Sequence, residues 1–191
     1  MHTIRNIELS DLDALLAFTN KWIGDGYFNK EELRALLLQG VHEDLNASFI
    51  AEYEGKIIAA RITLIPYQWT KFDHIAPYIS THMYNVPYKK AAYFQSLFVD
   101  HQFQGKGIGS ELTKRSLEVL YQMGCMAVVC HSWVESPNNS SQKYLLKFGF
   151  EPVSVHKNFW MFKDYKCPRC KPQVCQCSAE EMIYYFPLEE E

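Results

Sequence analysis

The feature that most constrains this chain is a run of alternating glycines between a strand-like and a helix-like segment. Residues 93–99 are aromatic and branched, as a strand requires. Asp100-His101-Gln102-Phe103 then turns into Gln104-Gly105-Lys106-Gly107-Ile108-Gly109, and from Gly107 the residues Ile108, Leu112, Val119, Leu120 and Met123 recur at helical spacing. A strand that enters a helix through such a turn gathers several uncapped backbone N–H groups around one point, where the helix dipole adds positive potential. Glycines let that backbone approach a ligand with no Cβ in the way, and Lys106 can add a formal charge. The segment is a cradle for an anion, and a pyrophosphate suits it. The plainer reading is a glycine turn used only for close strand-to-helix packing.

Other phosphate motifs fit less well. No Gly-Lys-Ser or Gly-Lys-Thr is present, so the P-loop is excluded. Gly105, Gly107 and Gly109 are spaced by two and do not make G-x-G-x-x-G. The formal charge of −3 offers no general attraction to nucleic acid or an anionic membrane. The first residues lack a secretory leader, and no stretch reaches the length of a membrane span, so a cytoplasmic protein is expected.

The rest of the chain reads as alternating strands and helices in one domain over residues 1–191. A strand is expected at 3–9. A helix follows Ser10-Asp11, carrying Leu12, Leu15, Leu16 and Phe18, and a second covers 29–39. Residues 47–53 and 57–65 flank Glu54-Gly55-Lys56 as a hairpin. Residues 67–90 show no periodicity and read either as a binding loop or lid or as an irregular surface connection. A short buried strand is expected at 126–130, and a helix opening at Asn138 and ending at Gly149. Extended segments are expected at 150–155, 158–162 and 182–186, with the final Glu189-Glu190-Glu191 frayed.

Residues 94–109, Phe94-Gln95-Ser96-Leu97-Phe98-Val99 through Gly109, resemble the acyl-CoA signature of the GNAT N-acetyltransferase superfamily, Q/R-x-x-G-x-G/A after a strand, matched by Gln104, Gly107 and Gly109. A second block, Asn138, Ser141, Leu145 and Phe148-Gly149-Phe150, resembles that family's N-x-x-[AS] helix ending in L-G-F. The resemblance implies an α/β (α+β) fold with a mixed, mostly antiparallel central sheet of about seven strands flanked by helices. It implies acetyl-CoA as cosubstrate, with the pyrophosphate on the N–H groups of Gln104, Gly105, Lys106, Gly107, Ile108 and Gly109 and on the Ser110 hydroxyl. Phe98 and Val99 would pair through their backbone with the pantetheine arm, and Asn138 and Ser141 would lie beside it. As a residue before a helix, Asn138 also reads as a plain N-cap.

An amine attacking a thioester needs deprotonation, an oxyanion donor and a proton for the leaving sulfur. The family often places a tyrosine four residues before the glycine of L-G-F; Leu145 occupies that position, with Tyr144 beside it. One residue turns a helical side chain by about 100°, so Tyr144 is a candidate acid whose direction needs the fold. Relatives often place a glutamate on the strand before the turn, where this chain has Gln95. His131 and Glu135 are the candidate bases, water is the alternative, and a structural histidine is the ordinary reading of His131.

Cys167, Cys170, Cys175 and Cys177 form C-x2-C-x4-C-x-C, expected between the last two strands. Four thiolates in one short loop can enclose a tetrahedral zinc ion and leave no open position, so a structural Zn2+ site is expected. An iron–sulfur cluster, two disulfides, redox-reactive thiols and free thiols are the alternatives. Cys125 and Cys130 read as small core residues. The expected partner is a small-molecule or peptide amine, with neither nucleic acid nor membrane, on a monomer or homodimer. A non-catalytic acyl-CoA-binding module with a zinc knuckle for protein contact is the alternative, motivated by Leu145 and Gln95. A zinc-dependent nucleic-acid binder would need a basic surface that the composition lacks.

Overall fold

In a computed structural model, which describes residues 1–69 and 75–187, the chain folds around one seven-stranded sheet. The strands of that sheet are β1 (Thr3–Asn6), β4 (Phe49–Tyr53), β5 (Lys56–Leu64), β6 (Ala91–Val99), β7 (Ala127–Trp133), β8 (Glu151–His156) and β9 (Ala179–Tyr185). Two short strands, β2 (Val41–His42) and β3 (Leu45–Asn46), pair separately and have no counterpart in the sequence reading. The helices are α1 (Leu12–Trp22), α2 (Lys30–Leu38), α3 (Ile108–Gln122) and α4 (Ser140–Lys147). The order across the sheet is β1-β4-β5-β6-β7-β9-β8, and every neighbouring pair is antiparallel except β6 and β7. No helix among the described residues is long and apolar enough to cross a membrane.

Alternation along the strands builds two cores. Tyr93, Val129 and Ile183 point to the face covered by Leu15 and Phe18 of α1 and Leu33, Leu36 and Leu37 of α2. Their neighbours Phe94, Val128 and Met182 point to the other face, onto Leu120 of α3 and Leu145 of α4. Each leucine taken out of water in this way contributes roughly 1.5–3 kcal/mol. The Asn29 side chain accepts the Glu32 N–H at 2.7 Å and starts α2. The β4–β5 hairpin turns on Glu54 and Gly55, both at positive φ, as a two-residue loop demands.

Two local expectations change. Residues 158–162 are not extended: Asn158 lies at φ 57, and the chain turns tightly through Met161 N–H to Asn158 C=O and Lys163 N–H to Trp160 C=O. Nor does Asn138 open α4, which starts at Ser140. Both Asn138 and Asn139 sit in the left-handed region, φ 55 and 54, and the Ser136 hydroxyl accepts the Ser141 N–H that a cap would otherwise hold. The irregular reading of 67–90 lies partly outside the described residues. Where described, this stretch is tied to the sheet by Trp69 Nε1–H to Ala91 C=O at 2.8 Å and by Ser80 and Tyr84, which donate to Glu181. The end of the chain expected to fray, 189–191, is also outside the described residues.

Candidate active site

β6 and β7 begin side by side and then part. Their parallel pairing runs only from Ala91–Ala127 to Phe94–Cys130, whereas β6 stays paired with β5 as far as Val99. The departure has a local cause. The β5–β6 register jumps between Ile62 and Thr63, leaving Gln95 as an extra residue, and such a bulge bends and twists its strand. From Gln95 to Val99 the edge that faced β7 has no strand beside it among the described residues. Phe98 and Val99 therefore offer backbone groups to a gap that opens toward the glycine turn.

That turn has the conformation its spacing implied. Gly105 and Gly107 have φ of 75° and 82°, and a Cβ on either would project into open space. Gly109 serves packing instead: a Cβ there would stand 3.3 Å from Leu97 and 3.4 Å from Val99, so its absence lets α3 lie close on β6. Gly107 is the N-cap of α3 and has no side chain to occupy the first N–H groups. The Gln104 side-chain amide donates to the Val99 C=O at 3.0 Å and ties the turn to the end of β6. Exposed Lys106 lies over the Phe103 ring at 4.8 Å. Such a turn, open and rich in N–H groups, fits an acyl-CoA pyrophosphate, and Ile108 anchors the helix behind it in the core.

Tyr144 turns toward this region. Its hydroxyl donates to the Gly109 C=O at 2.7 Å and lies 2.6 Å from the Thr113 hydroxyl. Arg61 Nη2 donates to that same Thr113 oxygen at 2.8 Å, so donors run in one direction: Arg61, Thr113, Tyr144, Gly109 C=O. Arg61 is buried, lies over the Phe94 ring at 4.1 Å, and forms no ion pair among the described residues. Burial pulls its pKa down from the usual value. Leu145, at the family's tyrosine position, is 6% exposed and packs from α4 into the core beside Leu120 and Phe150. Ser141 accepts from the Ser132 hydroxyl at 2.9 Å, linking α4 to the parted end of β7, while Asn138 is exposed.

A narrow cleft opens beside the parted strands on the α1–α2 face. Gln95 and His131 form its floor, one from each strand, with Tyr93 beside them. His131 Nε2 lies 2.8 Å from the Tyr78 C=O, so it carries the proton, and Nδ1 at 2.9 Å accepts from the Tyr93 hydroxyl. Burial drives the imidazole down to about 4, which keeps it neutral at ordinary pH. Its ring stacks on Phe159, centroids 4.3 Å apart. His131, His156 and Glu181 approach as closely as metal ligands would. However, the Glu181 oxygens already accept from Ser80 N–H, the Ser80 and Tyr84 hydroxyls and His156 Nε2, so the carboxylate is satisfied without an ion. Burial works to raise the Glu181 pKa, but these donors outweigh it and hold the carboxyl below its usual range. Glu135 lies elsewhere: both its oxygens accept the Ser178 N–H at 3.1 and 3.0 Å, beside the cysteine loop.

The four cysteines converge between β8 and β9. Their sulfurs lie within 4.8 Å of one another, with Cys170 3.6 Å and Cys167 4.0 Å from Cys177. Sulfurs at about 2.3 Å from a tetrahedral zinc stand about 3.8 Å apart, so the set fits that ion. Donors point at them too: the Tyr165 hydroxyl toward Cys175 at 3.4 Å and the Gln176 N–H toward Cys170 at 3.5 Å. Such donors suit thiolates that carry charge into a metal bond. Cys125 and Cys130 are buried apart from this group, and burial raises both thiols to about 12.

Ile75 also lines the cleft, together with Tyr27, Phe159, Trp160, Phe162 and Lys163, and no reading of the sequence singled these last five out for it. They come from the α1–α2 connection and the β8–β9 connection, so no local spacing announces them. The one available signal was the aromatic density of 158–162.

A profile of the acetyltransferase (GNAT) family matches residues 13–150. An uncharacterized N-acetyltransferase of Methanocaldococcus jannaschii is 28% identical over 162 residues, covering 83% of this chain and 64% of that protein. The chain thus spans about two thirds of the length of that curated relative, 64%. Among solved structures, the Drosophila melanogaster polyamine N-acetyltransferase aligns with a TM-score of 0.67 at 15% identity, over 97% of this chain and 100% of that one. A ribosomal-protein-alanine N-acetyltransferase from Brucella melitensis aligns with a TM-score of 0.66 at 17% identity, over 96% and 99%. At these identities the likeness is one of fold.

Proposed function

The chain belongs to the acetyltransferase (GNAT) family, and from that premise we propose that it moves an acetyl group from acetyl-CoA to a primary amine by direct attack in a ternary complex. The observation that carries the reading is the parting of β6 and β7 at Phe94 and Cys130, with the glycine turn on one side and the cleft on the other. Two substrates entering from opposite faces would meet in that gap, and attack across it needs no covalent enzyme intermediate.

In this reading the N–H groups of Gln104 to Gly109, with Lys106 and the Ser110 hydroxyl, hold the pyrophosphate. The free edge of Phe98 and Val99 pairs with the pantetheine arm, and an N–H there faces the carbonyl oxygen as it gains charge. Asn138 and Ser141 border the arm from the α4 side. The Tyr144 hydroxyl is the proton donor to sulfur, reached by turning from the Gly109 C=O, and the buried Arg61 charge polarises it through Thr113. A primary ammonium with a pKa of about 10.4 must first lose a proton. Tyr93 can take it while passing its own to His131 Nδ1. An imidazole held near 4 keeps that proton only briefly, so water at the cleft mouth completes its removal. Glu135 has a positioning role, through Ser178.

The same proposal assigns Cys167, Cys170, Cys175 and Cys177 a structural zinc ion, a closed set with no place for substrate. A second reading, a non-catalytic acyl-CoA-binding module, draws on Leu145 being packed in the core at the family's tyrosine position. Thiol release from acetyl-CoA across a broad amine panel, with calorimetric CoA binding on the same sample, separates the two. Turnover supports the transferase; CoA binding without turnover favours the module.

A further inference from the structure

We propose that Glu181 is a positioning residue for the transfer: its buried charge draws the amine's proton through Tyr93 onto His131. This rests on the acetyl-transfer reading and deepens its deprotonation step, where a buried His131 is by itself a weak proton acceptor. The register of β7 and β9 sets His131 directly opposite Glu181, so both side chains stand on the same face of the sheet. One His131 ring nitrogen lies within 4.8 Å of a Glu181 oxygen. The Glu181 residue is 0% exposed, and charges kept from water are screened little.

The carboxylate accepts from the Ser80 N–H at 2.9 Å, the Ser80 hydroxyl at 2.7 Å, the Tyr84 hydroxyl and His156 Nε2 at 2.9 Å. The first three donors are neutral, so they keep the carboxyl ionised without cancelling its charge. His156 cancels it only when protonated, which a high pH opposes. A fixed negative charge here acts on both members of the relay in one sense. Burial, and less so His156, opposes a positive His131, whereas the Tyr78 C=O and Glu181 favour it. Burial above all, with Glu181 among the nearby charges, holds the Tyr93 hydroxyl well above its usual range, so no phenolate stays behind. The favoured outcome is a neutral Tyr93 beside a protonated His131. In that step an ammonium N–H bond breaks and its proton goes to Tyr93 Oη, while the Tyr93 proton moves to His131 Nδ1. The electron pair left on the nitrogen is the one that attacks the thioester. Of the other described groups around the cleft, Tyr27 is a buried phenol and Lys163 is paired with Glu32 at 2.7 Å. The cleft has a volume of about 20 Å³, which admits an ammonium head or one water.

The test is thiol release from acetyl-CoA with ethylamine and with trifluoroethylamine, whose fluorines leave its nitrogen largely unprotonated at pH 7.5. Only the first needs the relay. Glu181→Gln is expected to lower kcat/KM for ethylamine about tenfold at pH 7.5, and that for trifluoroethylamine by no more than about twofold. The ethylamine deficit is expected to shrink as pH rises to 9.5, because more of that amine arrives already deprotonated. A carboxylate that only braces residues 80–84 would slow both amines alike at every pH, and that result overturns the inference while the transferase stands. Should Glu181→Gln fail to fold by circular dichroism, Tyr84→Phe decides. It takes one neutral donor from the carboxylate and leaves the charge less offset, so ethylamine is expected to gain on trifluoroethylamine by about twofold or more. No gain, or a loss, overturns the inference. A wild-type protein that releases thiol with no amine of the broad panel ends the acetyl-transfer reading, and this inference with it.

Discussion

Gly107 concentrates the anion cradle in one torsion. Its φ of 82° strains any residue with a Cβ, and the space that Cβ would enter is open. Gly107→Val is expected to weaken CoA binding about a hundredfold or more by calorimetry, while the far-ultraviolet circular dichroism stays native. Undiminished affinity would remove the pyrophosphate from this turn. Tyr144 carries a second prediction. Tyr144→Phe deletes the hydroxyl shared by Thr113 and Gly109 and, if it is the acid, lowers kcat about ten- to a hundredfold with CoA affinity little changed. An unchanged kcat would reduce Tyr144 to a brace between α3 and α4. The Arg61 Nε has no hydrogen-bond partner among the described residues.

At the scale of elements, the β8–β9 connection joins the cysteine cluster to the cleft. Phe159 N–H donates to the Cys177 C=O at 3.0 Å, Trp160 packs on the cysteines, and Tyr165 bridges Cys175 to the Tyr27 ring 5.0 Å away. Lys166 N–H donates to the Asp25 C=O at 3.0 Å, and a Cβ on Gly24 would strike the Lys166 C=O at 2.7 Å, so the two connections lie locked together. Loosening the cysteine loop must therefore disturb the cleft wall before the distant glycine turn. Metal analysis is expected to give one zinc per chain. Cys170→Ser is expected to drop this below one and to raise the acceptor KM by about tenfold, with CoA affinity unchanged. Equal loss for both substrates would mean that the loop supports the whole sheet and not the cleft alone.

Across the whole molecule, His131 and Glu181 make stability depend on acid. A histidine held near 4 when folded and near 6.5 when unfolded binds more protons in the unfolded chain between those values. Stability from this group is full above about 6.5 and is lost as pH falls toward 4, up to about 3 kcal/mol. Glu181, with its pKa lowered, loses its contribution in the same direction, as pH falls through its folded value. Urea unfolding at pH 7.5, 5.5 and 4.5 should show a steady fall, and His131→Asn should flatten it. A fall of the same slope in that variant would place the acid sensitivity elsewhere.

What the sequence alone settled is what neighbouring residues carry. The glycine turn lies within six consecutive residues, so its glycines were legible in the sequence and the structure places Gly105 and Gly107 at positive φ. Strand alternation and helical periodicity located most of the strands and helices, because burial of one face acts residue by residue, while the sheet of about seven strands was what the resemblance to the family implied. The four cysteines were legible as a group for the same reason, being close in the chain. The tertiary structure decided the rest. Tyr93 and His131 lie 38 residues apart and meet only through the register of β6 and β7. The bulge at Gln95 depends on how β5 and β6 pair, and Tyr144 reaches Gly109 only because α3 and α4 share a sheet face. Residues 158–162 were misread as extended because their hydrophobicity resembles that of a strand. Their partners, Cys177 and the cleft, supply contacts that no local pattern records. Burial pattern is a local property of the chain, whereas a binding cleft arises where distant segments are brought together.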